Sequence, residues 1–538
     1  MVWRPEDPQG GEALKCRWDV VPYIRGKGID IGCGPTKVLP HAIGIDSLKD
    51  TELFGVQMKP DLVCEDATQL AIPDADLDFV FSSHLLEHIE DTRAALREWW
   101  RVLKVGGYLV LYLPHADLYP NIGQPGANPD HKHDFTSADI LDAMVPVCSA
   151  TDAGMDVLVD EVRDAGMEYS FLLVIRKTAR VNGVRSMNLT VPPKPDGKTA
   201  CVVRYAGGIG DMIQASGILP ELKRQGFHVT MMTTPRGQEL LREDPNVDDW
   251  VIQDNDQVPN HLLPEYWAVW ERKYDRFINL CESVEGTLLP IPGRSAHKWP
   301  DNLRRSMLNQ NYGEFVARIA DLPYESAARF YPTPAEASEA DRYVHNLSRG
   351  KPAFVVLWVL AGSSLHKTYP HMDDVIANIV EGMPDSHVIF IGDELCQILE
   401  AGWDKHPRVH CRSGKTTIRQ DLALAQRVSC VIGPETGVLN SVAFMPVDKV
   451  VMLSHSTQEN LTKHWINTFT LAPNAQHAPC YPCHRLHYDW THCHEDKATG
   501  TAVCQVAISP RMAFDAVGQA YVKWRERVEF LSKRRICA

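Results

Sequence analysis

Two glycine-rich runs, each directly after an apolar run, have the composition of turns that approach a nucleotide-like ligand. The first is DIGCGPT at residues 30–36, and the second is YAGGIGD at residues 205–211. A glycine-rich turn lets the backbone come close to a ligand, and the N–H groups of the helix that follows point at it. Neither run has the three-glycine pattern of dinucleotide-binding turns. Both therefore predict a ligand turn without naming the ligand.

The segment after the first run continues with strand and helix patterns. The strand predicted at residues 42–45 ends in Asp46, where a carboxylate can accept hydrogen bonds from a ribose diol. The segment VCEDATQLAIPDADLDFVFSSHLLEHI follows, and a helix is predicted at residues 91–103. Its apolar positions share one helical face, which is typical of a core face: Leu96, Trp99, Trp100 and Leu103.

Taken together, residues 20–177 resemble the class I S-adenosylmethionine (SAM) dependent methyltransferases. In that family the acid and the glycines of the first motif hold the methionine part of SAM. The acid after the second strand holds the ribose, and an acid or amide after the third strand contacts adenine. The fourth strand ends where the active site opens. The resemblance implies these cofactor-binding residues: Asp30, Gly32, Cys33, Gly34, Asp46, Asp66, Ala67 and Ser83.

The acceptor side of this first block is less defined, because the family has no universal catalytic residue. Methyl transfer needs mainly positioning, plus a base where the acceptor is a hydroxyl. A lone histidine is more often structural than catalytic, and the spacing in HKHDF at residues 131–135 is not specific for a metal. Five histidines are candidates for the base: His84, His88, His115, His131 and His133.

The second glycine-rich run leads into Asp211, at the point where the turn becomes a helix. An acid there can simply cap the helix. Pro220 inside the helical pattern predicts a kink or a late helix start. Further downstream, Ser363, Ser364 and Lys367 follow the strand predicted at residues 353–360, where they suit phosphate oxygens.

The order of these pieces over residues 199–538 resembles the ADP-heptose:lipopolysaccharide heptosyltransferases, which have the two-Rossmann GT-B fold. The resemblance implies that Asp211 is the general base on the acceptor hydroxyl and that Lys367 and the turn Thr436–Gly437 hold the donor diphosphate, without a metal. The family usually has Asp at Glu435 and often His at Asn440, so the donor stays open. The matching elements are Gly210, Asp211 and Pro220; residues 245–248; Lys367, Tyr369 and Pro370; residues 414–417; and residues 435–437.

A cysteine and histidine cluster lies near the end of the chain. Cys480 and Cys483 are followed by Cys493 and Cys504, with four interleaved histidines. Tetrahedral zinc takes sulfur and nitrogen ligands and often uses a C-x-x-C start, but the later gaps are irregular. A structural zinc, free buried thiols and a disulfide all stay open. The interleaved histidines are His484, His487, His492 and His494.

Length and composition frame these sites. At 538 residues, three or four folding units are expected, and 44% hydrophobic and 23% charged residues are ordinary for a globular protein. We predict an α/β chain with a methyltransferase domain at 1–180, a linker at 181–198, an acceptor domain at 199–345 and a donor domain at 346–538. No run approaches the ~18 apolar residues of a membrane span, and 14 dispersed cysteines indicate a reducing cytoplasm.

The sequence therefore predicts a bifunctional enzyme. It would transfer a sugar from a nucleotide-sugar donor to a glycan acceptor, and a methyl group from SAM to that sugar or acceptor. A modified nucleobase in DNA is the second acceptor considered, although the net charge of −14 argues against a polyanion-binding surface. One domain could instead serve as a binding module. A dinucleotide-dependent oxidoreductase fits the glycine turns less well.

Overall fold

The computed structural model divides into two compact units, residues 3–190 and residues 191–538, with residues 1–2 grouped with the second. Within the described part of the chain, no helix is both long enough and apolar enough to cross a bilayer. The described residues are 11–48, 51–53, 56–151, 153–165, 168–179, 197–205, 207–253, 258, 263–281, 298–362, 364, 367–485 and 493–536.

The unit of residues 3–190 alternates strands with helices. Its helices are α1 (Glu12–Val20), α2 (Thr92–Val102) and α3 (Ser137–Ala150). Its strands are β1 (Gly28–Ile31), β2 (Ile43–Asp46), β3 (Glu52–Leu53), β4 (Val56–Gln57), β5 (Leu62–Val63), β6 (Leu77–Ser83), β7 (Leu103–Pro114), β8 (Ala153–Arg163) and β9 (Ser170–Ala179). A 3₁₀ turn, Leu86–His88, follows β6.

Seven of these strands form one sheet in the order β5-β2-β1-β6-β7-β9-β8. The pairs from β5 to β7 are parallel, whereas β9 is antiparallel to both of its neighbours. The order reverses between β1 and β6, where Ile31 pairs with Ser82. In an open α/β sheet a ligand binds outside the carboxyl ends of the strands at such a switch point. The glycine-rich turn at residues 32–36 lies there.

Helix α2 shows how the sequence builds this unit. It begins after Asp91, whose carboxylate accepts a hydrogen bond from Ala94 N at 2.9 Å. Trp99 and Trp100 are fully buried, as the predicted core face requires. The helix ends at Val102 and not at Leu103, because Leu103 already pairs with Leu77 as the first residue of β7.

The unit of residues 191–538 forms, within its described residues, two larger sheets and a two-stranded one. Its helices are α4 (Ile209–Ser216), α5 (Leu219–Arg224), α6 (Pro235–Leu241), α7 (Leu263–Glu271), α8 (Asp301–Leu308), α9 (Tyr312–Ile319), α10 (Pro334–Leu347), α11 (Met372–Gly382), α12 (Ile418–Ala425), α13 (Gly437–Ser441), α14 (Val503–Val506) and α15 (Pro510–Ile536). Its strands are β10 (Thr199–Val203), β11 (His228–Thr233), β12 (Asp249–Ile252), β13 (Arg276–Asn279), β14 (Phe354–Val359), β15 (Ser386–Ile391), β16 (Val409–Cys411), β17 (Cys430–Pro434), β18 (Asp448–Met452), β19 (Thr468–Leu471), β20 (Glu495–Asp496) and β21 (Thr501–Ala502).

Both main sheets of this unit are parallel. The first has the order β12-β11-β10-β13 and the second β16-β15-β14-β17-β18-β19. The second order is that of a doubly wound dinucleotide-binding sheet. Their switch points lie between β10 and β13 and between β14 and β17. The predicted α/β fold class, one Rossmann-like domain followed by a two-Rossmann unit, is confirmed. The boundary predicted at 345 falls near the end of α10, between the two sheets.

The two sheets share one apolar core, which includes residues of β10 and of β14. Arg419 of α12 adds a polar tie between them. Its buried guanidinium pairs with Glu336 at 2.7 Å and donates to Leu240 O at 2.8 Å. Pro220 stands in the first turn of α5, so it marks a late helix start, one of the two outcomes predicted for it.

Candidate functional site

The turn after β1 requires glycine. Gly32 and Gly34 have φ values of 72° and 56°, which side-chain-bearing residues rarely adopt. A Cβ on Gly32 would also stand 2.8 Å from a methyl group of Leu85. Both the positive φ and the close packing of Leu85 therefore require glycine at position 32, and the turn is held against β2, since Gly32 N donates to Ile45 O at 2.8 Å. Cys33, between the two glycines, is buried, and burial raises the pKa of its thiol to about 12.

Asp30 lies under this turn, at the end of β1. It is 1% exposed, and its Oδ2 accepts a hydrogen bond from Val38 N at 2.6 Å. Its Oδ1 is buried without a hydrogen-bond partner. Burial raises the pKa of Asp30 to about 7, against the opposing effect of that hydrogen bond. One oxygen thus shapes the turn while the other has capacity for a further donor.

Asp46 ties the end of β2 to the same turn. Its Oδ2 accepts from Gly34 N at 3.0 Å, and its Oδ1 accepts from Leu48 N at 3.0 Å. The carboxylate therefore stands beside the glycine turn, at the neighbouring strand's carboxyl end. This is the position from which an acid reaches a ribose diol in doubly wound folds.

Asp66 closes the loop after β5. Its Oδ1 accepts from Thr68 N at 2.9 Å, and hydrogen bonds from Thr68 hold the pKa of Asp66 below its usual range. The carbonyl of Ala67 accepts from Trp99 Nε1 at 2.9 Å. The predicted adenine loop is thus anchored to the buried face of α2. Ser83, at the end of β6, is buried, and its hydroxyl has no hydrogen-bond partner.

The five candidate histidines separate into two groups. His115 Nδ1 accepts from Asp117 N at 3.1 Å, and His133 Nε2 contacts the carbonyls of Ile89 and Glu90 at 3.1 Å each, so both have structural contacts. The other three gather around a buried carboxylate, that of Glu87.

His84 is the member of this second group that directly follows β6. Its Nε2 lies 2.9 Å from Ser170 Oγ, and burial lowers its pKa to about 3. It is therefore neutral at physiological pH and a poor proton acceptor. Glu87, which sequence reasoning did not single out, is fully buried, and burial raises its pKa to about 8. The H-x-x-E-H spacing of residues 84–88 was its only signal.

In the second unit, Asp211 lies in the first turn of α4. Its Oδ2 accepts from Gly208 N at 2.6 Å, and its Oδ1 lies 3.5 Å from Nη2 of the buried Arg204. Arg204 is itself held by Leu280 O at 2.7 Å. The carboxylate caps the turn, as the structural interpretation predicts, and still has a side chain 23% exposed.

Lys367 lies at the second switch point. Its Nζ donates to the carbonyl of Glu435 at 3.2 Å. Burial lowers the pKa of Lys367, while Glu435 and Asp211 act in the opposite direction. The Asp211 carboxylate therefore influences the Lys367 amine electrostatically, although the two residues follow strands of different sheets. Ser364 is buried beside Lys367, and Ser363 lies outside the described residues.

The side chains of Glu435 and Asn440 bind protein groups. Glu435 Oε2 lies 2.8 Å from His455 Nε2, and its Oε1 accepts from Ser454 N at 2.7 Å. Asn440 donates to Thr436 O at 3.0 Å and accepts from Gln214 Nε2 at 3.0 Å. Both side chains therefore hold loops of the protein together. Their role in donor binding stays a prediction.

The turn at Thr436 and Gly437 brings the two sheets together. Thr436 caps α13, and a Cβ on Gly437 would stand 2.6 Å from Ile209 and 2.8 Å from Gly210 N. The N-terminal ends of α4 and α13 therefore meet. Because α4 follows β10 and α13 follows β17, the predicted base and the predicted donor turn lie in adjacent turns at the two switch points.

The four cysteines of the C-terminal cluster line one pocket together with Lys367 and His455. Burial raises the pKa of Cys483 and of Cys493 to about 12, and it raises those of Cys480 and Cys504 as well. Within the described residues, no three of these sulfur atoms lie within 4.8 Å of one another. The zinc site stays a prediction.

The loop that carries Cys480 and Cys483 is fastened to α8. Arg304 Nε donates to Cys483 O at 2.8 Å, and Arg305 donates to Cys480 O at 3.1 Å. His484 is fully buried, and neither ring nitrogen has a hydrogen-bond partner. Two of the interleaved histidines, His487 and His492, lie outside the described residues.

Comparison with known protein families finds a sequence match within the first unit. Residues 29–111 match the family model described as a methyltransferase domain. No curated protein was found to match the chain in sequence. A SAM-dependent methyltransferase from Mesorhizobium loti is similar in structure, with 18% identity and a TM-score of 0.23 over 31% of this chain and 98% of that one.

Two glycosyltransferase structures are similar to the chain at low identity. A family 9 glycosyltransferase from Veillonella parvula has 13% identity and a TM-score of 0.44 over 61% of this chain and 99% of that one. The ADP-heptose lipopolysaccharide heptosyltransferase II of E. coli has 13% identity and a TM-score of 0.42 with the same coverage. We therefore base the assignment of the second unit on its own strand order and switch points.

Fold and family match together define the first unit as a methyltransferase domain of the Rossmann-like class. In this chain, that domain precedes a two-Rossmann unit of the GT-B type.

Proposed function

We propose that the chain transfers a sugar from a nucleotide-sugar donor to a glycan-type acceptor and a methyl group from SAM to the same sugar or acceptor. The proposed sugar transfer rests mainly on one observation. The two switch points of the second unit meet through Gly210 and Gly437. In doubly wound sheets these edges bind ligands. A cleft that receives both edges suits a reaction between two substrates.

The residues of the first unit fit SAM. The turn after β1 needs glycine at position 32, where a Cβ would collide with Leu85, and Asp30 Oδ1 is a buried acceptor without a partner among the described residues. Asp46 would hold the ribose, and the loop of Asp66 and Ala67 would contact the adenine. When bound, SAM supplies an electrophilic methyl group. The chain's own residues would orient it and exclude water.

In the second unit Asp211 would accept the proton of the acceptor hydroxyl. General-base assistance of this kind contributes about 10²–10⁴-fold in rate. The pairing with Arg204 at 3.5 Å and the hydrogen bond from Gly208 N fix the position of the carboxylate. Lys367 would neutralise the departing diphosphate, which is where positive charge lowers the barrier.

The acceptor, the donor sugar and the cytoplasmic location stay predictions. A modified nucleobase as acceptor, and a second unit that only binds its ligand, are the other outcomes of the same experiment. In that experiment, the full chain is incubated with a panel of nucleotide sugars and of candidate glycan and nucleobase acceptors, with and without SAM, and release of free nucleotide is measured.

One donor should be turned over by the wild-type chain, and Asp211→Asn should lower its turnover at least 100-fold. Asp341→Asn, an exposed carboxylate on α10, is the control and should keep full activity. Turnover that survives in Asp211→Asn contradicts the assignment of the base. Donor binding without turnover in the wild-type chain, for every acceptor tried, favours the binding module.

A further inference from the structure

Three side chains of the methyltransferase unit converge beyond the end of β6. Glu87 and His88 belong to the 3₁₀ turn Leu86–His88, and His131 comes from the loop that precedes α3. One ligand atom from each lies within 4.8 Å of the others. Among the described residues, this is the one group of three or more histidine, cysteine or acidic side chains that gathers so closely.

One carboxylate oxygen of Glu87 lies close to a ring nitrogen of each histidine. Glu87 Oε1 lies 3.9 Å from His88 Nε2 and 4.0 Å from His131 Nε2. Ligand atoms around a tetrahedral zinc ion stand about 3.3 Å apart, given bonds of about 2.0–2.1 Å. The three side chains therefore need to move inward by only about half an ångström to complete such a site.

The Glu87 carboxylate is buried without hydrogen-bond donors. Glu87 is fully buried, and among the described residues no other residue donates a hydrogen bond to either of its carboxylate oxygens. Buried polar groups are almost always satisfied, since leaving one unpaired costs several kcal/mol. The neighbouring nitrogens are too far away to be hydrogen-bonded to it, but they point to the same space. A cation between them would satisfy the carboxylate and both imidazoles together.

We propose that Glu87, His88 and His131 bind a divalent transition-metal ion of the zinc type. Two imidazoles and one carboxylate form a borderline donor set that suits zinc better than magnesium or calcium, which prefer oxygen ligands. Three protein ligands also leave a coordination position for an outside oxygen. An oxygen of the methyl acceptor fits this position, because the turn follows the strand at the SAM switch point; this last assignment rests on the proposed function.

Contacts between aromatic rings fix the positions of the two histidine side chains. The rings of His88 and His131 are perpendicular with centroids 4.8 Å apart, and Tyr119 packs on His131 at 5.3 Å. The backbone also locks the loop to the turn, since Lys132 N donates to Glu87 O at 2.7 Å. Two distant segments of the chain are thus fixed against each other where the three ligand atoms meet.

Elemental analysis of the full chain tests the proposal. Wild-type protein is stripped with a chelator, dialysed against ZnCl₂ and then against metal-free buffer, and zinc per chain is measured. Glu87→Gln, His131→Gln and His88→Gln should each hold one equivalent less than wild type. The difference is independent of any metal at the cysteines. His133→Gln, from the same segment but outside the triad, should retain the wild-type content.

SAM titration of the same samples separates this proposal from the proposed function. Triad variants that bind SAM within about threefold of wild type are folded, so their zinc content is informative. His88 is partly exposed, and its variant serves where a buried substitution impairs folding. Equal zinc in wild type and in folded His88→Gln and His131→Gln, or a wild type without zinc, overturns the metal site and leaves the SAM assignment intact.

Discussion

A Cβ on Gly437 would stand 2.8 Å from the backbone nitrogen of Gly210, so the turns after β17 and β10 touch through two glycines. Neither glycine has a positive φ, and close approach therefore explains the absence of a side chain at both positions. The heptosyltransferase-like motifs place an acid directly after one glycine and a threonine directly before the other. Their contact fixes the distance between the proposed base and the proposed donor turn.

Gly437→Ala should therefore separate the two turns without unfolding the unit. We expect at least a tenfold loss in sugar-transfer rate, because a misplacement of about 1 Å can cost on the order of 10²-fold. The check is donor turnover measured beside a thermal unfolding curve. Gly518→Ala in α15 is the matched control, since its nearest atom stands 3.9 Å away. Wild-type turnover in Gly437→Ala would contradict the importance of the contact.

Asp46→Asn should weaken SAM binding by about 10–100-fold. The carboxylate holds Gly34 N at 3.0 Å, and hydrogen bonds to charged groups contribute about 1.5–3 kcal/mol each. Calorimetric titration with SAM gives the dissociation constant. Asp164→Asn, an exposed acid between β8 and β9, should bind like wild type. Equal affinities in all three proteins would remove Asp46 from the cofactor site.

Trp99→Phe and Trp100→Phe form a matched pair, because both tryptophans are fully buried in α2 and only Trp99 donates to the loop of Ala67. Trp100 Nε1 has no hydrogen-bond partner. Each substitution should destabilise the unit, but only Trp99→Phe should also lower SAM affinity, by a few-fold, since it frees the adenine loop. Denaturant unfolding and SAM titration measure the two effects. An equal change in affinity in both variants would contradict the predicted adenine position.

The pair of Glu435 and His455 predicts a pH dependence of stability. Burial raises the pKa of Glu435, but His455, Lys367 and the amide of Ser454 outweigh it and hold that pKa well below its usual range. The stabilisation is therefore complete above the unfolded pKa of about 4.3 and is lost as the pH falls below it. Removing one partner of a buried pair costs about 3 kcal/mol.

Urea unfolding of wild type and Glu435→Gln between pH 7 and pH 3 measures this contribution. The gap in the free energy of unfolding should be widest at pH 7 and should narrow below about pH 4.3. A gap that stays constant with pH would show that the carboxylate charge does not stabilise the loop.

Features that depend on a short stretch of sequence could be predicted. Features that depend on the direction of a side chain could not. The glycine turn, Asp46 and Pro220 each follow from a short pattern. Gly32 and Gly34 have positive φ values, Asp46 accepts from Gly34 N, and Pro220 lies in the first turn of α5. Glu87 was missed because its partner His131 lies 44 residues away in the chain. Glu435 and Asn440 have the expected places in the motif. That their side chains face His455 and Gln214 depends on how the strands pack.

The central claim is that one chain carries two separate ligand sites, one for SAM and one for a nucleotide sugar. Sequential calorimetric titration of the full chain tests it most directly: SAM to saturation, followed by a nucleoside diphosphate. We expect one-to-one binding of each ligand, with Asp46→Asn weakening only SAM binding and Lys367→Ala only nucleoside diphosphate binding. Competition between the two ligands for a single site, or no binding of either to the folded chain, would contradict it.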